Sequence, residues 1–313
     1  MAEIAESQLT TEQQVKSIWH LGGLNPTQLA KRVWAEIDHD NVFNRASELA
    51  YNFLFAVFPL LLFLLGLLGI FASHAPALKQ ELISAFARVL PGDAYTLVST
   101  TLEEIVKSSG GGKMTFGVVL GLWSAMGGTT TMMSLLNEAY HIRESRSWIK
   151  FRAIALGLTA ATSALIIAAL VIVLFGGHIA GWAGQHLGLA NTAVLAWKVL
   201  QWPAALFFMT FAFSLIYFYG PDVREQHWYW ITPGSVFGVL IWLVSSFGFR
   251  IYLHFFNSYS KSYGSLGAVM ILLVWFYVTG LAFMIGGLIN AAIEHAAAKR
   301  GHPEAKAPGE KAA

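Results

Sequence analysis

ASELAYNFLFAVFPLLLFLLGLLGIF, residues 46–71, carries no charged side chain after Glu48. A helix needs about 20 largely apolar residues to cross a hydrocarbon core of about 30 Å, so this stretch reads as a membrane span. Five more stretches meet the same requirement: Thr115–Tyr140, Ala153–Phe175, Ala193–Tyr219, Ile231–Phe255 and Leu266–Ile293. The expected fold is therefore all-α, a polytopic bundle of six transmembrane helices. Composition agrees: 56% of the 313 residues are hydrophobic and 12% charged, with a mean hydropathy of +0.55, whereas a soluble domain has roughly 25% charged residues.

Between the first two spans, residues 72–113 form the one sizeable insert. Leu78, Leu82, Ile83, Phe86 and Leu90 recur at helical spacing up to the Pro91-Gly92 break, and a second helix is expected from Ala94 to Lys107. The pair makes a periplasmic helical hairpin, with Gly110-Gly111-Gly112 as a flexible return. Residues 1–45 form a cytoplasmic segment too polar for a cleavable signal peptide. Within it, Thr27–Asp38 reads as an amphipathic helix with Leu29, Val33, Trp34 and Ile37 on one side, suited to the interface or to packing on the bundle. Residues 46–295 are the membrane domain, and 296–313 read as a disordered cytoplasmic tail.

Orientation follows from lysine and arginine, which are retained preferentially in the cytoplasm. With both termini inside, 13 of these residues fall in cytoplasmic segments and 5 outside; Lys198 and Arg250 lie within or at the edges of spans. Both termini are thus expected in the cytoplasm, with the chain in a bacterial inner (plasma) membrane. Trp148, Trp197, Trp202, Trp228, Tyr229 and Trp230 sit at span ends, as interfacial aromatic belts require.

Several chemistries are disfavoured. A net charge of +2 without a basic stripe makes nucleic acid an unlikely partner in physical terms. The absence of cysteine removes disulfides, thiolate nucleophiles and Cys-ligated metals. No Walker loop, Gly-x-Ser-x-Gly or His-Glu-x-x-His occurs. The ten histidines are scattered, and His178 and His186, in an expected outer loop, do not make a metal pair. No catalytic residue, metal or cofactor is expected.

Polar groups inside apolar spans are costly and mark candidate sites. Glu48 lies beside Arg45 and one turn before Asn52; Pro59 removes a backbone hydrogen bond midway along the first span, bending or splitting it. The second span carries Trp123, Ser124, Gly127, Gly128 and Thr129 to Thr131, and ends with Asn137, Glu138 and Tyr140. Small residues and hydroxyls there suit tight packing or a polar path, and Gly117-x-x-x-Gly121 fits a helix contact. Arg250, near the outer end of the fifth span, suits snorkelling or an anionic group such as a lipid phosphate.

The ordered set Arg45-Ala-Ser-Glu-Leu-Ala-Tyr51 with Phe58-Pro59, Trp123-Ser124, Leu136-Asn137-Glu-Ala-Tyr140, Gly220-Pro221-Asp222, Thr232-Pro233-Gly234, Tyr263-Gly264-Ser-Leu-Gly-Ala268, Trp275 and Asn290 resembles the YihY/BrkB family over roughly Ala35 to His295. Some members carry the old label ribonuclease BN. The resemblance implies a six-span inner-membrane protein suspected of transport. Where the family commonly has Gly-Ala-Glu-Leu-Asn, this chain has Gly286-Gly287-Leu288-Ile289-Asn290, so no role of that glutamate carries over.

The expected function is translocation of a small solute or lipid without an ATPase of its own. The candidate path residues are Arg45, Glu48, Asn52, Pro59, Trp123, Ser124, Asn137, Glu138, Arg250 and Asn290. The alternative is a non-transporting scaffold that binds envelope proteins through residues 72–113. Membrane lipids are the expected partners in either case, and a homo-oligomer is compatible with both.

Overall fold

A computed structural model describes residues 19–56, 111–187, 191–223, 231–255, 265–300 and 308–309. Every regular element among them is helical. A short 3-10 turn at Leu21–Gly23 precedes α1 (Pro26–His39) and α2 (residues 42–56); then come α3 (Gly111–Ala139), α4 (Trp148–Leu187), α5 (Asn191–Tyr219), α6 (Pro233–Phe255) and α7 (Ser265–Ala298). The remainder of the first expected span, Pro59, and the hairpin as far as residue 110 lie outside the described residues.

Four described segments are long and apolar enough to cross a membrane: Trp148–Ala169, Val194–Tyr219, Pro233–Leu253 and Val269–Ala298. They coincide with the last four spans read from the sequence. α3 covers nearly all of the second, and starts at Gly111, so two of the three glycines expected to form a flexible return are helical. α4 also differs from expectation. Its 40 residues would extend about 60 Å at 1.5 Å per residue, and they carry His178 and His186 within a helix instead of a loop. Gly176, Gly177, Gly181 and Gly184 read as breakers by soluble-protein rules, but glycine is frequent in membrane helices.

Residues 51–128 form one compact unit, and residues 1–50 with 129–313 form another. In the first, Gly127 and Gly128 of α3 face Asn52 and Phe53 of α2. In the second, α4 packs along α5, α6 along α7, and α5 against α6. Leu29, Val33 and Ile37 of α1 are buried and α1 packs on α7, while Trp34, expected on the same side, is 72% exposed. Asn25 caps α1, its backbone N–H donating to Gln28 Oε1 at 3.2 Å, with Pro26 at the first helical position.

The packing of the larger unit suits lipid as solvent. Val244, Phe247, Leu195 and Val199 are exposed, whereas Thr129, Thr159, Ser214 and Ser235 are buried. The two threonine hydroxyls pair at 2.8 Å between α3 and α4, and the two serines at 3.2 Å between α5 and α6. Small residues bring α6 and α7 together: a Cβ on Gly234 would collide with the carbonyl of Gly286, and one on Gly286 with Tyr217. Gly234-x-x-x-Gly238 is therefore an observed close-approach surface. At the end of α7, the helix runs on to Ala298, and the Gly309 N–H donates to the Tyr140 carbonyl at 3.1 Å.

Candidate functional site

The ends of α3, α5 and α7 and the starts of α2, α4 and α6 are linked by side chains. Arg45, in the first turn of α2, bridges two carboxylates: Nη1 donates to Glu48 Oε2 at 3.2 Å, and Nη2 lies 2.9 Å from Glu138 Oε2. All three side chains are substantially exposed, so the bridge is solvent-screened and its position matters more than its strength.

Asn137 beside it is buried and fully engaged. Its Oδ1 accepts from the Asp222 backbone N–H at 2.6 Å, and its Nδ2 donates to Glu144 Oε2 at 2.8 Å. Glu144 in turn receives Arg146 through Nε at 2.7 Å and Nη2 at 2.6 Å. The same guanidinium donates to the Gly220 carbonyl at 2.8 Å, serving the otherwise unpaired C-terminus of α5. Asp222 completes the network by accepting from the backbone N–H and hydroxyl of Ser145, at 2.8 and 2.6 Å. Partial burial alone would raise the Glu144 pKa, but hydrogen bonds from Arg146 and Asn137 to the ionised carboxylate outweigh it and hold the group below its ordinary 4.5.

A cavity of about 350 Å³ opens beside this network, lined among others by Ser145, Arg146, Ser147, Lys150, Tyr219 and Asp222. That volume is within the range of small-molecule sites, about 300–1,000 Å³. Lys150 and the hydroxyls of Ser147 and Tyr219 lie on this rim and can meet a polar or anionic group, while Arg146 and Ser145 are held by Glu144 and Asp222.

Asn290 performs a similar task for α6. Its Oδ1 accepts from the Gly234 N–H at 2.8 Å and its Nδ2 donates to Thr232 Oγ1 at 3.0 Å; Thr232 and Ser235 also bond each other reciprocally across the first turn. Tyr217 donates to the Phe283 carbonyl at 2.6 Å. Leu288 is 2% exposed and lines a small space with Leu136, Phe283, Met284, Asp40 and Glu138.

The structure thus gathers Arg45, Glu48, Asn137, Glu138 and Asn290 at one end of the larger unit. It does not bring Arg250 there: that residue is exposed on α6, 17 positions after Pro233, or about 26 Å along the helix axis. Asn52 faces Gly127 within the smaller unit, Trp123 is 60% exposed, and no side-chain position is described for Ser124. Sequence reasoning missed Glu144, Arg146 and Asp222 as site residues; they sit in loops outside the spans.

It also missed a cluster. His39, Asp40 and His141 offer ligand atoms within 4.8 Å of one another. His39 Nδ1 is 2.9 Å from Asp40 Oδ1, a contact that raises the imidazole pKa above 6.5. Glu36 Oε2 is 3.7 Å from His141 Nε2. The one available signal was Glu36-x-x-His39-Asp40, whose spacing places all three on one face of α1; the distant His141 gave none.

These helices, apolar outward and tied by polar bonds at their ends, define a multi-span α-helical membrane protein. The chain belongs to the family described as Virulence factor BrkB, which matches residues 33–310. It is 31% identical over 248 residues to the putative ribonuclease-like protein YfkH of Bacillus subtilis, covering 79% of this chain and 88% of that one. It is 27% identical over 286 residues to the UPF0761 membrane protein of Xanthomonas oryzae, covering 87% of this chain. A Xanthomonas campestris relative of the same description is equally similar. The chain spans 61% of the length of each of these two Xanthomonas proteins. No solved structure matches it. The motifs behind the resemblance meet in space: Asn137 bonds the Gly-Pro-Asp segment, and Asn290 the Thr-Pro-Gly segment.

Proposed function

We propose that the protein translocates a small solute or lipid across the plasma (inner) membrane, with both termini in the cytoplasm, six spans, and no ATPase of its own. The observation that carries this reading is the polar cavity of about 350 Å³ beside Arg146 and Lys150, at the end of otherwise apolar helices. On this reading Lys150 draws a polar or anionic group to the mouth, and Arg146, held by Glu144, keeps the rim in shape. Arg45, Glu48, Asn137 and Glu138 shape the mouth of the passage within the larger unit, Asn290 holds the start of α6 in place, and Arg250 meets the group at the opposite interface; Asn52, Pro59, Trp123 and Ser124 stay path candidates on the sequence alone. The scaffold alternative places envelope-protein binding on residues 72–113. The ribonuclease-like name belongs to the Bacillus relative; the function proposed here is not enzymatic.

The test is reconstitution into vesicles containing a tail-labelled anionic phospholipid, with an impermeant quencher outside, and in parallel efflux of a panel of small anions. Wild-type protein is expected to make the inner-leaflet label accessible or to release one anion, and Lys150→Gln and Arg250→Gln to slow that flux several-fold. Flux indistinguishable from protein-free vesicles in every assay would defeat translocation. Wild-type flux in both variants would defeat this assignment of the path.

A further inference from the structure

The cluster on α1 and the turn after α3 belongs neither to the cavity nor to the polar framework between helix ends, and its chemistry is distinct. We propose that Glu36, His39, Asp40 and His141 form a binding site for a divalent transition metal of the zinc class.

Two independent observations point to a ligand. The first is convergence: three side chains from two separated segments bring ligand atoms within 4.8 Å, and Glu36 reaches His141 Nε2 at 3.7 Å. The second is an unmet need. Asp40 is 5% exposed, its Oδ1 contacts His39, and its Oδ2 is buried with no hydrogen-bond partner among the described residues. A carboxylate oxygen buried in that state is costly and calls for a donor or a cation.

Two imidazoles and two carboxylates are the donor set of zinc and its first-row neighbours, whereas calcium and magnesium prefer oxygen alone. Zinc bonds of about 2.0–2.2 Å in a tetrahedron put donors about 3.3–3.6 Å apart, so His39, Asp40 and His141 must close by up to about 1.5 Å, with Glu36 approaching from its place beside His141. His39, whose side chain is 71% exposed, is free to swing inward. Glu36, His39 and Asp40 are supplied by one face of α1 and the end of its last turn. The ion therefore joins α1 to the segment following α3. His295 stacks on His141 with ring centroids 5.9 Å apart. Its ring forms a wall of the site on the α7 side.

The experiment uses the full chain in detergent, purified without a polyhistidine tag and stripped with a chelator. Zinc retained after dialysis is measured by elemental analysis, and cobalt binding by visible absorption. About one ion per chain is expected, with tetrahedral cobalt bands. His39→Gln, a change at an exposed side chain, and His141→Gln should each weaken binding at least tenfold, and His186→Gln should leave it unchanged. Monodispersity on gel filtration identifies any variant that fails to fold, and Glu36→Gln then replaces it. No stoichiometric binding by the wild type at micromolar zinc, or wild-type binding by the His39→Gln/His141→Gln double variant, would overturn the proposal.

Discussion

Two regions of the larger unit are built on opposite principles. Where α3, α5 and α7 end, side chains and backbone are joined by directed hydrogen bonds through Asn137, Glu144, Arg146, Asp222 and Asn290. Along the outer sides of α5 and α6, Leu195, Val199, Val244 and Phe247 are exposed. In lipid there is little hydrophobic gain from packing one apolar helix on another. Close approach and polar bonds must therefore set how these helices sit, while the outward apolar surface sets where the molecule resides. The contrast orders the consequences of substitution.

The largest effect is expected where helices touch through backbone. Gly286→Leu places a side chain against Tyr217 and Gly234 and should cost roughly 3 kcal/mol, seen as loss of monodisperse protein and an earlier unfolding midpoint in mixed micelles. A midpoint like that of wild type would mean that α6 and α7 do not cross at these glycines. Asn137→Leu should cost about 2 kcal/mol by the same assay, because it strands the Asp222 N–H and one Glu144 oxygen. Tyr217→Phe removes a single bond to the Phe283 carbonyl, and about 1 kcal/mol is expected.

Glu144 supplies a pH test of the framework. Its pKa is depressed, so its contribution is complete above the unfolded-state value near 4.5 and fades as pH falls through the lower folded value. Wild type should therefore exceed Glu144→Gln in stability at neutral pH, and the two curves should converge in acid; a gap that widens below pH 4.5 would contradict the assigned hydrogen bonds. The smallest effect is expected for Val244→Ala on the outward surface, within about 0.5 kcal/mol. The same position changed to Asp should impair insertion by roughly 3 kcal/mol, which separates a lipid-facing site from an inert one.

Much of this was legible in the sequence. Uninterrupted apolar length located the last four spans to within a few residues at most of their ends, because a helix is the structure that satisfies its own backbone in hydrocarbon. The exception, the long α4, shows why glycines mislead there. The polar candidates were visible as polar residues in apolar surroundings, yet their partners were not. Nothing local to Asn137 announces Asp222, and nothing local to Asn290 announces Gly234.

By itself, the sequence determined that this chain is an all-helical membrane protein, since composition and run length decide the solvent a segment prefers. It also carried, in dispersed motifs, the family to which the chain belongs. Only the tertiary structure decided what those motifs do for one another: that Arg146 serves the end of α5, that Gly234 meets Gly286, and that His141 joins His39 and Asp40. Hydropathy is a property of a segment, whereas a hydrogen bond or a ligand set depends on distances between segments, and those distances exist only once the helices have packed.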